Sequence, residues 1–142
     1  MADANPSSFP SVAGHYDRLD RFYRQLWGEH VHHGLWTDPS FSPEEAVRHL
    51  VHRVAADAEV GSGSRVCDVG CGYGAPARLW ARDYGAEVTG FTVSEAQKAF
   101  AERQSMENSA PVYRLQDFLD NDVSDDAYDA VVAIESLTHS RH

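Results

Sequence analysis

The chain has 142 residues, of which 42% are hydrophobic and 24% are charged, a composition typical of a globular domain. No apolar run approaches the roughly 20 residues needed to cross a bilayer, and the first residues lack the basic start and apolar stretch of a secretory signal. The net charge of −10 disfavours nucleic acid and anionic membrane surfaces as partners. We therefore expect a cytoplasmic protein that binds neither nucleic acid nor membrane, and the sequence does not indicate an oligomeric state.

The first 60 residues are predicted to form a helical N-terminal cap. Apolar residues recur at helical spacing from about 15 to 27, and Gly28 is suited to end that helix. A second helix is predicted after Ser42, because Ser42 and Glu45 have the spacing of a capping box and Pro43 suits a first turn. A His-rich stretch of irregular pattern separates the two helices.

From residue 61 onward, predicted strands alternate with predicted helices. Cys67 and Cys71 do not have the spacing of a CxxC pair, and two thiols cannot complete a structural zinc site, so we expect them to be reduced and packed. The alternation predicts an α/β fold with a parallel sheet and right-handed crossovers. The predicted strands are 65–69, 86–92, 111–115 and 128–134, and the predicted helices run from about 75 to 84 and from 94 to about 106.

A glycine-rich turn, Gly70-Cys-Gly72-Tyr-Gly74, follows the first predicted strand. Glycine permits positive φ and close approach of a ligand, and the N-terminus of the next helix offers N–H groups to an anion. The turn also fits a dinucleotide fingerprint, but that site needs an acidic residue about 20 positions on, where this chain has Thr92 and Val93. Asp68 lies inside the strand, where a carboxylate suits a ligand with an ammonium group beside its own carboxylate.

Residues 66–74, VCDVGCGYG, resemble motif I of the class I S-adenosylmethionine-dependent methyltransferases, with Cys67 in place of the usual leucine. The resemblance continues in order through residues 90–97, 116–118 and 128–136. It implies a Rossmann-like parallel sheet, incomplete here with about four of seven strands, and residues 61–142 as its cofactor-binding half. We therefore expect the chain to be part of a longer protein. The implied cofactor is S-adenosyl-L-methionine, with S-adenosyl-L-homocysteine as product.

The end of the second strand, TVSEAQ, resembles the subgroup that includes cyclopropane fatty-acid synthases. That resemblance implies that Thr92 and Gln97 hold the ribose, although Ser94 and Gln97 also have the spacing of a capping box. Asp117 and Phe118 are implied to contact adenine, with a loop aspartate and a core phenylalanine as the alternative. The cofactor contacts expected in this domain are Asp68, Gly70, Cys71, Gly72, Thr92, Val93, Gln97, Asp117 and Phe118.

Residues 22–36 resemble a segment that precedes the domain in tocopherol-type and sarcosine/dimethylglycine methyltransferases and folds over the cofactor. The resemblance implies that Tyr16 lies near the sulfonium and that His32 and His33 line the methionine end. The close spacing of His30 and these two histidines also suggests a metal site as an alternative, but no carboxylate or cysteine is clearly paired with them. We expect no metal, and a purely structural role for each histidine stays open.

Glu135 and His139 follow the fourth predicted strand, whose carboxyl end should face the ligand crevice. Histidine titrates near neutral pH, so His139 could accept a proton from the acceptor, while transfer by proximity alone is the alternative. The resemblance implies methylation of a small molecule, a metabolite or natural product, on carbon, nitrogen or oxygen. A cofactor-binding fragment without activity of its own and a cyclopropane-synthase-like methylene transfer are the other interpretations.

Overall fold

A computed structural model describes residues 12–104, 106 and 108–139. Within these ranges, no helix is long and apolar enough to cross a membrane. The helices are α1 (Val12–Trp27), α2 (Pro43–Asp57), α3 (Ala75–Tyr84) and α4 (Glu95–Arg103), the strands are β1 (Arg65–Val69), β2 (Glu87–Thr92), β3 (Val112–Leu115) and β4 (Ala130–Val132), and two 3₁₀ turns span Phe118–Asp120 and Leu137–His139.

The four strands form one parallel sheet in the order β3-β2-β1-β4. The central strand β1 pairs with β2, where Val69 faces Phe91, and with β4, where Asp68 faces Val132. Helices α3 and α4 make the crossovers between neighbouring strands, so the predicted Rossmann-like α/β fold is confirmed. Because all four strands are parallel, their carboxyl ends lie along one edge of the sheet, where ligands bind in open α/β folds.

Local signals set the ends of most helices. Ser42 and Glu45 form the predicted capping box, with Glu45 N donating to Ser42 Oγ at 3.2 Å and Ser42 N donating to Glu45 Oε2 at 2.8 Å. Helix α3 ends at Gly85, whose left-handed φ of 69° lets its N–H reach back to Ala81 O. Gly28 follows the end of α1 with the same φ.

Two predicted elements are longer than the observed ones by more than one residue. Helix α4 ends at Arg103 instead of near residue 106, because Gln104 is already extended and Met106 turns back to pack against the main core. Strand β4 covers three residues instead of seven, since the chain bends after Val132 and Glu135 takes a φ of 55°. The sequence periodicity continues through both bends and so does not mark them.

The main core lies between the sheet and the α2–α3 pair. Trp80 on α3 is fully buried and donates its indole N–H to Val51 O on α2 at 3.1 Å. A smaller cluster covers the opposite face of the sheet and includes Cys67, Val69 and Phe91. Cys67 and Cys71 are free thiols and both are buried, in agreement with the prediction.

Candidate functional site

Asp68 is the charged side chain that the fold buries most deeply. It lies in the middle of the sheet, is 2% exposed, and its Oδ2 accepts no hydrogen bond from any described residue. Burial raises the pKa of this carboxyl to about 7. A buried carboxylate with a vacant acceptor atom is costly in a folded protein, so Asp68 fits a site that receives a donor or a cation from a ligand.

The three glycines of the turn after β1 all have positive φ but serve different purposes. A Cβ atom at Gly70 would lie 2.3 Å from the Cβ of Ser136, and one at Gly74 would lie 2.4 Å from the hydroxyl oxygen of Tyr113. A Cβ atom at Gly72 would meet nothing within 4 Å. Gly70 and Gly74 are therefore required by packing, while Gly72 leaves its backbone open to a ligand.

Cys71 stabilises the glycine turn through its backbone hydrogen bonds and its buried side chain. Its N–H donates to Phe91 O and its carbonyl accepts from Gly74 N, both at 2.9 Å. Its side chain is buried in the main core against Gly90, where a Cβ atom would lie 2.8 Å from Cys71 Sγ. The structure thus gives Cys71 a packing role, and a direct cofactor contact of this residue remains a prediction.

The end of β2 adjoins the glycine turn, because β1 and β2 are neighbours. Thr92 Oγ1 donates to Gln97 Oε1 at 2.9 Å and accepts from Ser94 N at 3.1 Å, and all three residues are buried. Ser94 caps α4, but Gln97 bonds Thr92 instead of returning to the Ser94 backbone, so the capping box is only half formed. The Gln97 amide keeps its N–H donors, and half-buried Val93 lies between these residues.

Asp117 and Phe118 follow β3, on the far side of β2. Asp117 is exposed and its Oδ1 accepts from Leu119 N at 3.0 Å. The Phe118 ring is half-buried and packs edge-on against Phe91, with ring centroids 5.4 Å apart. The described contacts are those of a loop aspartate and a packed phenylalanine, and contact with adenine remains a prediction.

The His-rich segment reaches the carboxyl end of β4 through one carboxylate. Glu135 accepts from His33 twice, from its backbone N–H at 3.2 Å and from its Nδ1 at 2.9 Å. In this contact Glu135 has a backbone φ of 55°, a conformation that residues other than glycine rarely adopt. The structure therefore brings together two residues that were predicted separately, one for the cofactor and one for the acceptor.

His32 and His30 form a second pair beside this contact. His32 is 5% exposed and its Nδ1 bonds to His33 O at 2.8 Å, so Nδ1 carries the proton. A neutral His32 then accepts at Nε2 from His30 Nδ1, 3.2 Å away. Burial lowers the pKa of His32, and burial together with the nearby His32 and Arg78 lowers the pKa of His30 to about 4. Among the described residues, no group of three or more His, Cys, Asp and Glu side chains could hold a metal ion.

Two predicted residues lie outside the described side chains. Tyr16 belongs to α1 and His139 ends the second 3₁₀ turn, but their side chains are not among those described. Their predicted roles at the sulfonium and as a general base therefore remain predictions.

Helix α1 contacts both walls of the site, which no sequence motif indicates. Asp17 Oδ1 accepts from Ser94 Oγ at 2.5 Å and from Ala96 N at 3.3 Å. On the other wall, Tyr73 Oη in the glycine turn donates to Asp20 O at 3.1 Å. Helix α1 therefore connects the β2–α4 turn to the glycine turn across the sheet edge.

A parallel sheet with helical crossovers and a glycine turn after its central strand defines a Rossmann-like α/β domain. The chain belongs to the mycolic acid cyclopropane synthetase family, which matches residues 4–142. It is 36% identical over 127 residues to 27-O-demethylrifamycin SV methyltransferase of Amycolatopsis mediterranei, a match that covers 87% of this chain and 47% of the relative. The resemblance seen in the sequence is thus confirmed.

Solved structures agree with the fold. The [4+2]-cyclase SpnF superposes with a TM-score of 0.78 at 32% identity, covering 86% of this chain and 48% of that one. The mycolic acid cyclopropane synthase CmaA1, solved with SAH, has the same TM-score at 22% identity, covering 92% of this chain and 47% of that one. The chain spans about half the length of the curated relatives it matches.

Proposed function

We propose that this chain is the cofactor-binding half of an S-adenosylmethionine-dependent methyltransferase with a small-molecule acceptor. The vacant Oδ2 of Asp68 is the observation that supports this most strongly, because the ammonium group of the cofactor's methionine moiety supplies the missing cationic donor. The rifamycin methyltransferase relative supports the reaction class, and the cyclopropane synthase solved with SAH supports the cofactor.

The described residues fit the cofactor in three places. Asp68 would bind the ammonium group, while the open backbone at Gly72 would admit the methionine moiety and the first N–H groups of α3 would be available to its carboxylate. Thr92 and Gln97 would bind the ribose hydroxyls through the free donors of the Gln97 amide. Asp117 and Phe118 would contact adenine. The bound cofactor supplies an electrophilic methyl group on a sulfonium.

The first 60 residues would act as a cap over this site. Helix α1 supports that role because it contacts the β2–α4 turn through Asp17 and the glycine turn through the Asp20 carbonyl. Tyr16, His32 and His33 would then lie on the methionine side of the cofactor. Such a cap excludes water from the site, where methyl transfer depends on positioning and a preorganised environment.

The acceptor side is proposed at the carboxyl end of β4, with Glu135 and His139. Glu135 is engaged by His33, so its proposed role is to hold the cap against the sheet near the acceptor. His139 would take a proton from a hydroxyl or ammonium acceptor. The protein itself is proposed to be cytoplasmic, without nucleic-acid or membrane partners. The family match also supports a cyclopropane-synthase-like methylene transfer as the alternative reaction.

Calorimetric titration with S-adenosylhomocysteine, and separately with NAD, tests the cofactor assignment. We expect heat from S-adenosylhomocysteine alone and its loss in Asp68→Ala, while the matched control Asp57→Ala, which changes an exposed carboxylate on α2, binds normally. Heat from NAD, or full binding by Asp68→Ala, would overturn the assignment. Transfer of a labelled methyl group from S-adenosylmethionine to a panel of phenols, amines and activated carbons then tests the reaction class.

A further inference from the structure

A cavity of about 610 Å³ opens between the His-rich segment, α2 and the outer face of α3. Its lining includes His30, His32, Trp36, Val47 and Leu79. None of the described residues assigned to the ammonium, ribose or adenine contacts lines it, but His32 and His33, which are proposed to lie on the methionine side of the cofactor, do, so the cavity borders the proposed cofactor crevice. The volume falls in the range of small-molecule sites, which are mostly apolar with a few placed polar groups.

The hydrogen bonds around His30 fix what the cavity can offer a ligand. His33 O can only accept, so His32 carries its proton on Nδ1 and presents the Nε2 lone pair to His30. His30 must then donate from Nδ1, and because its pKa is lowered to about 4, the neutral ring keeps Nε2 as an acceptor, for which no described residue is a partner. The cavity therefore contains an uncharged imidazole acceptor whose tautomer is set by two neighbouring groups.

The charges around the cavity do not select an ion. Arg78 is bound by Glu29 at 2.6 Å and by Tyr73 O at 2.7 Å, and Arg82 is bound by Asp83. The lining also includes Glu44 and Arg48, so it holds two glutamates and three arginines, and two of these arginines are already bound by carboxylates. A neutral ligand therefore fits this cavity better than a cation or a polyanion does.

The Trp36 side chain indicates which shape of apolar ligand the cavity can bind. The indole is 50% exposed, and its N–H is already donated to Phe41 O at 3.1 Å. The ring therefore offers an aromatic face without an unpaired donor, and Val47 and Leu79 add aliphatic contacts in the lining. A flat aromatic or alicyclic skeleton would cover this exposed surface.

We propose that this cavity is a binding site for a neutral apolar molecule that donates one hydroxyl or N–H group to Nε2 of His30. The site lies beside the segment that contacts Glu135 and includes His32 and His33 of the proposed cap. Its occupant would therefore sit next to the proposed methyl-transfer site, away from the ammonium, ribose and adenine contacts of the cofactor. The proposal does not depend on the reaction class, because it rests on the lining and on the fixed tautomers.

Titration of the chain with 2-naphthol and with 2-methoxynaphthalene, which lacks the donor, tests the site. We expect 2-naphthol to bind at least about 5-fold more tightly, the ratio produced by one hydrogen bond to a neutral acceptor. His30→Leu should abolish this preference, while His30→Gln retains an acceptor and part of it. His49→Leu is the matched control, because His49 lies on α2 and pairs with Thr37 outside the cavity lining.

A second variant keeps the test valid if His30→Leu folds poorly. Val47→Phe fills the cavity and should weaken both probes together, with circular dichroism and the affinity for S-adenosylhomocysteine unchanged. Equal affinity of the two probes for the wild-type chain, or a preference that survives in His30→Leu, would overturn the proposal. Absence of S-adenosylhomocysteine binding would count against the proposed cofactor only.

Discussion

Glu135 and His33, 102 residues apart in the sequence, are joined by two hydrogen bonds to one carboxylate. Through this contact, the Glu135 side chain links the His-rich segment to the end of β4. Glu135 is 42% exposed at its side chain, so the contact adds little stability by its charge alone. Its importance lies in fixing the position of a loop at the edge of the sheet where the strands end.

The first prediction concerns this contact and the φ of 55° at Glu135. Glu135→Ala removes both hydrogen bonds and keeps the strained backbone, whereas Glu135→Gly removes the bonds and the strain. We expect Glu135→Gly to be more stable than Glu135→Ala by about 1 kcal/mol in urea unfolding. Both should bind S-adenosylhomocysteine roughly 3- to 10-fold more weakly, because the loop is released. Unchanged affinity in both would show that the contact does not order the cofactor side.

The second prediction follows from the pKa of Asp68, which burial raises to about 7. The unfolded chain has an ordinary aspartate pKa of about 4, so the folded state holds more protons between these values and stability falls as pH rises from about 4 to 7. Asp68→Asn removes that loss. In the absence of cofactor at pH 8, we expect the free energy of unfolding of this variant, measured with urea, to exceed that of wild type by up to about 4 kcal/mol.

The control for this prediction has the opposite sign. Hydrogen bonds from Arg65 lower the pKa of Asp129 to about 2, so that carboxylate stabilises the fold at neutral pH and loses its effect as pH falls toward 2. Asp129→Asn should therefore be less stable than wild type at pH 8. An Asp68→Asn variant that is also less stable at pH 8 would contradict the view that Asp68 is an unsatisfied carboxylate.

The third prediction is the pH dependence of cofactor binding. If the ammonium group binds ionised Asp68, the ligand must compete with a proton below the pKa of about 7. The Kd for S-adenosylhomocysteine should then rise about tenfold for each pH unit below 7 and level off above it. Calorimetry at several pH values between 5.5 and 8.5 measures this slope. A Kd that is constant across that range would exclude Asp68 as the ammonium ligand.

Structural features that depend on residues a few positions apart were predictable from the sequence. The Ser42–Glu45 capping box and Gly85 at the end of α3 act within a few residues, so their signals survive in the sequence. The burial of Asp68 was also predictable, because it lies inside a short strand between the apolar residues Cys67 and Val69. The resemblance to a known family added the order of the sites along the sheet edge.

Residues whose role depends on distant partners were not predictable. Asp17 caps α4 from 77 residues away, and nothing in α1 distinguishes it from other exposed aspartates. Glu135 was expected to face an acceptor, and its pairing with His33 appears only once the chain has folded. The half-formed box at Ser94 has a different cause, since its partners are local and Thr92 competes with the Ser94 backbone for the Gln97 side chain.

The last prediction separates the glycine needed by a ligand from the glycine needed by packing. Gly72 and Gly63 both have positive φ, 55° and 76°, and a Cβ atom at either would meet no other atom within 4 Å. Each alanine substitution should therefore cost about 1 kcal/mol from backbone strain alone. Only Gly72→Ala should also weaken S-adenosylhomocysteine binding, by more than about 10-fold, because its methyl group would stand where the ligand meets the backbone.

Gly70→Ala completes the comparison. Its Cβ would lie 2.3 Å from Ser136 Cβ, at the point where Ser136 Oγ donates to Val69 O, so the turn itself must move. We expect this variant to be clearly the least stable of the three by urea unfolding. Equal S-adenosylhomocysteine affinity in Gly72→Ala and Gly63→Ala would mean that no ligand approaches the turn at Gly72. Loss of affinity in both would trace the effect to backbone strain, since Gly63 lies in the turn before β1.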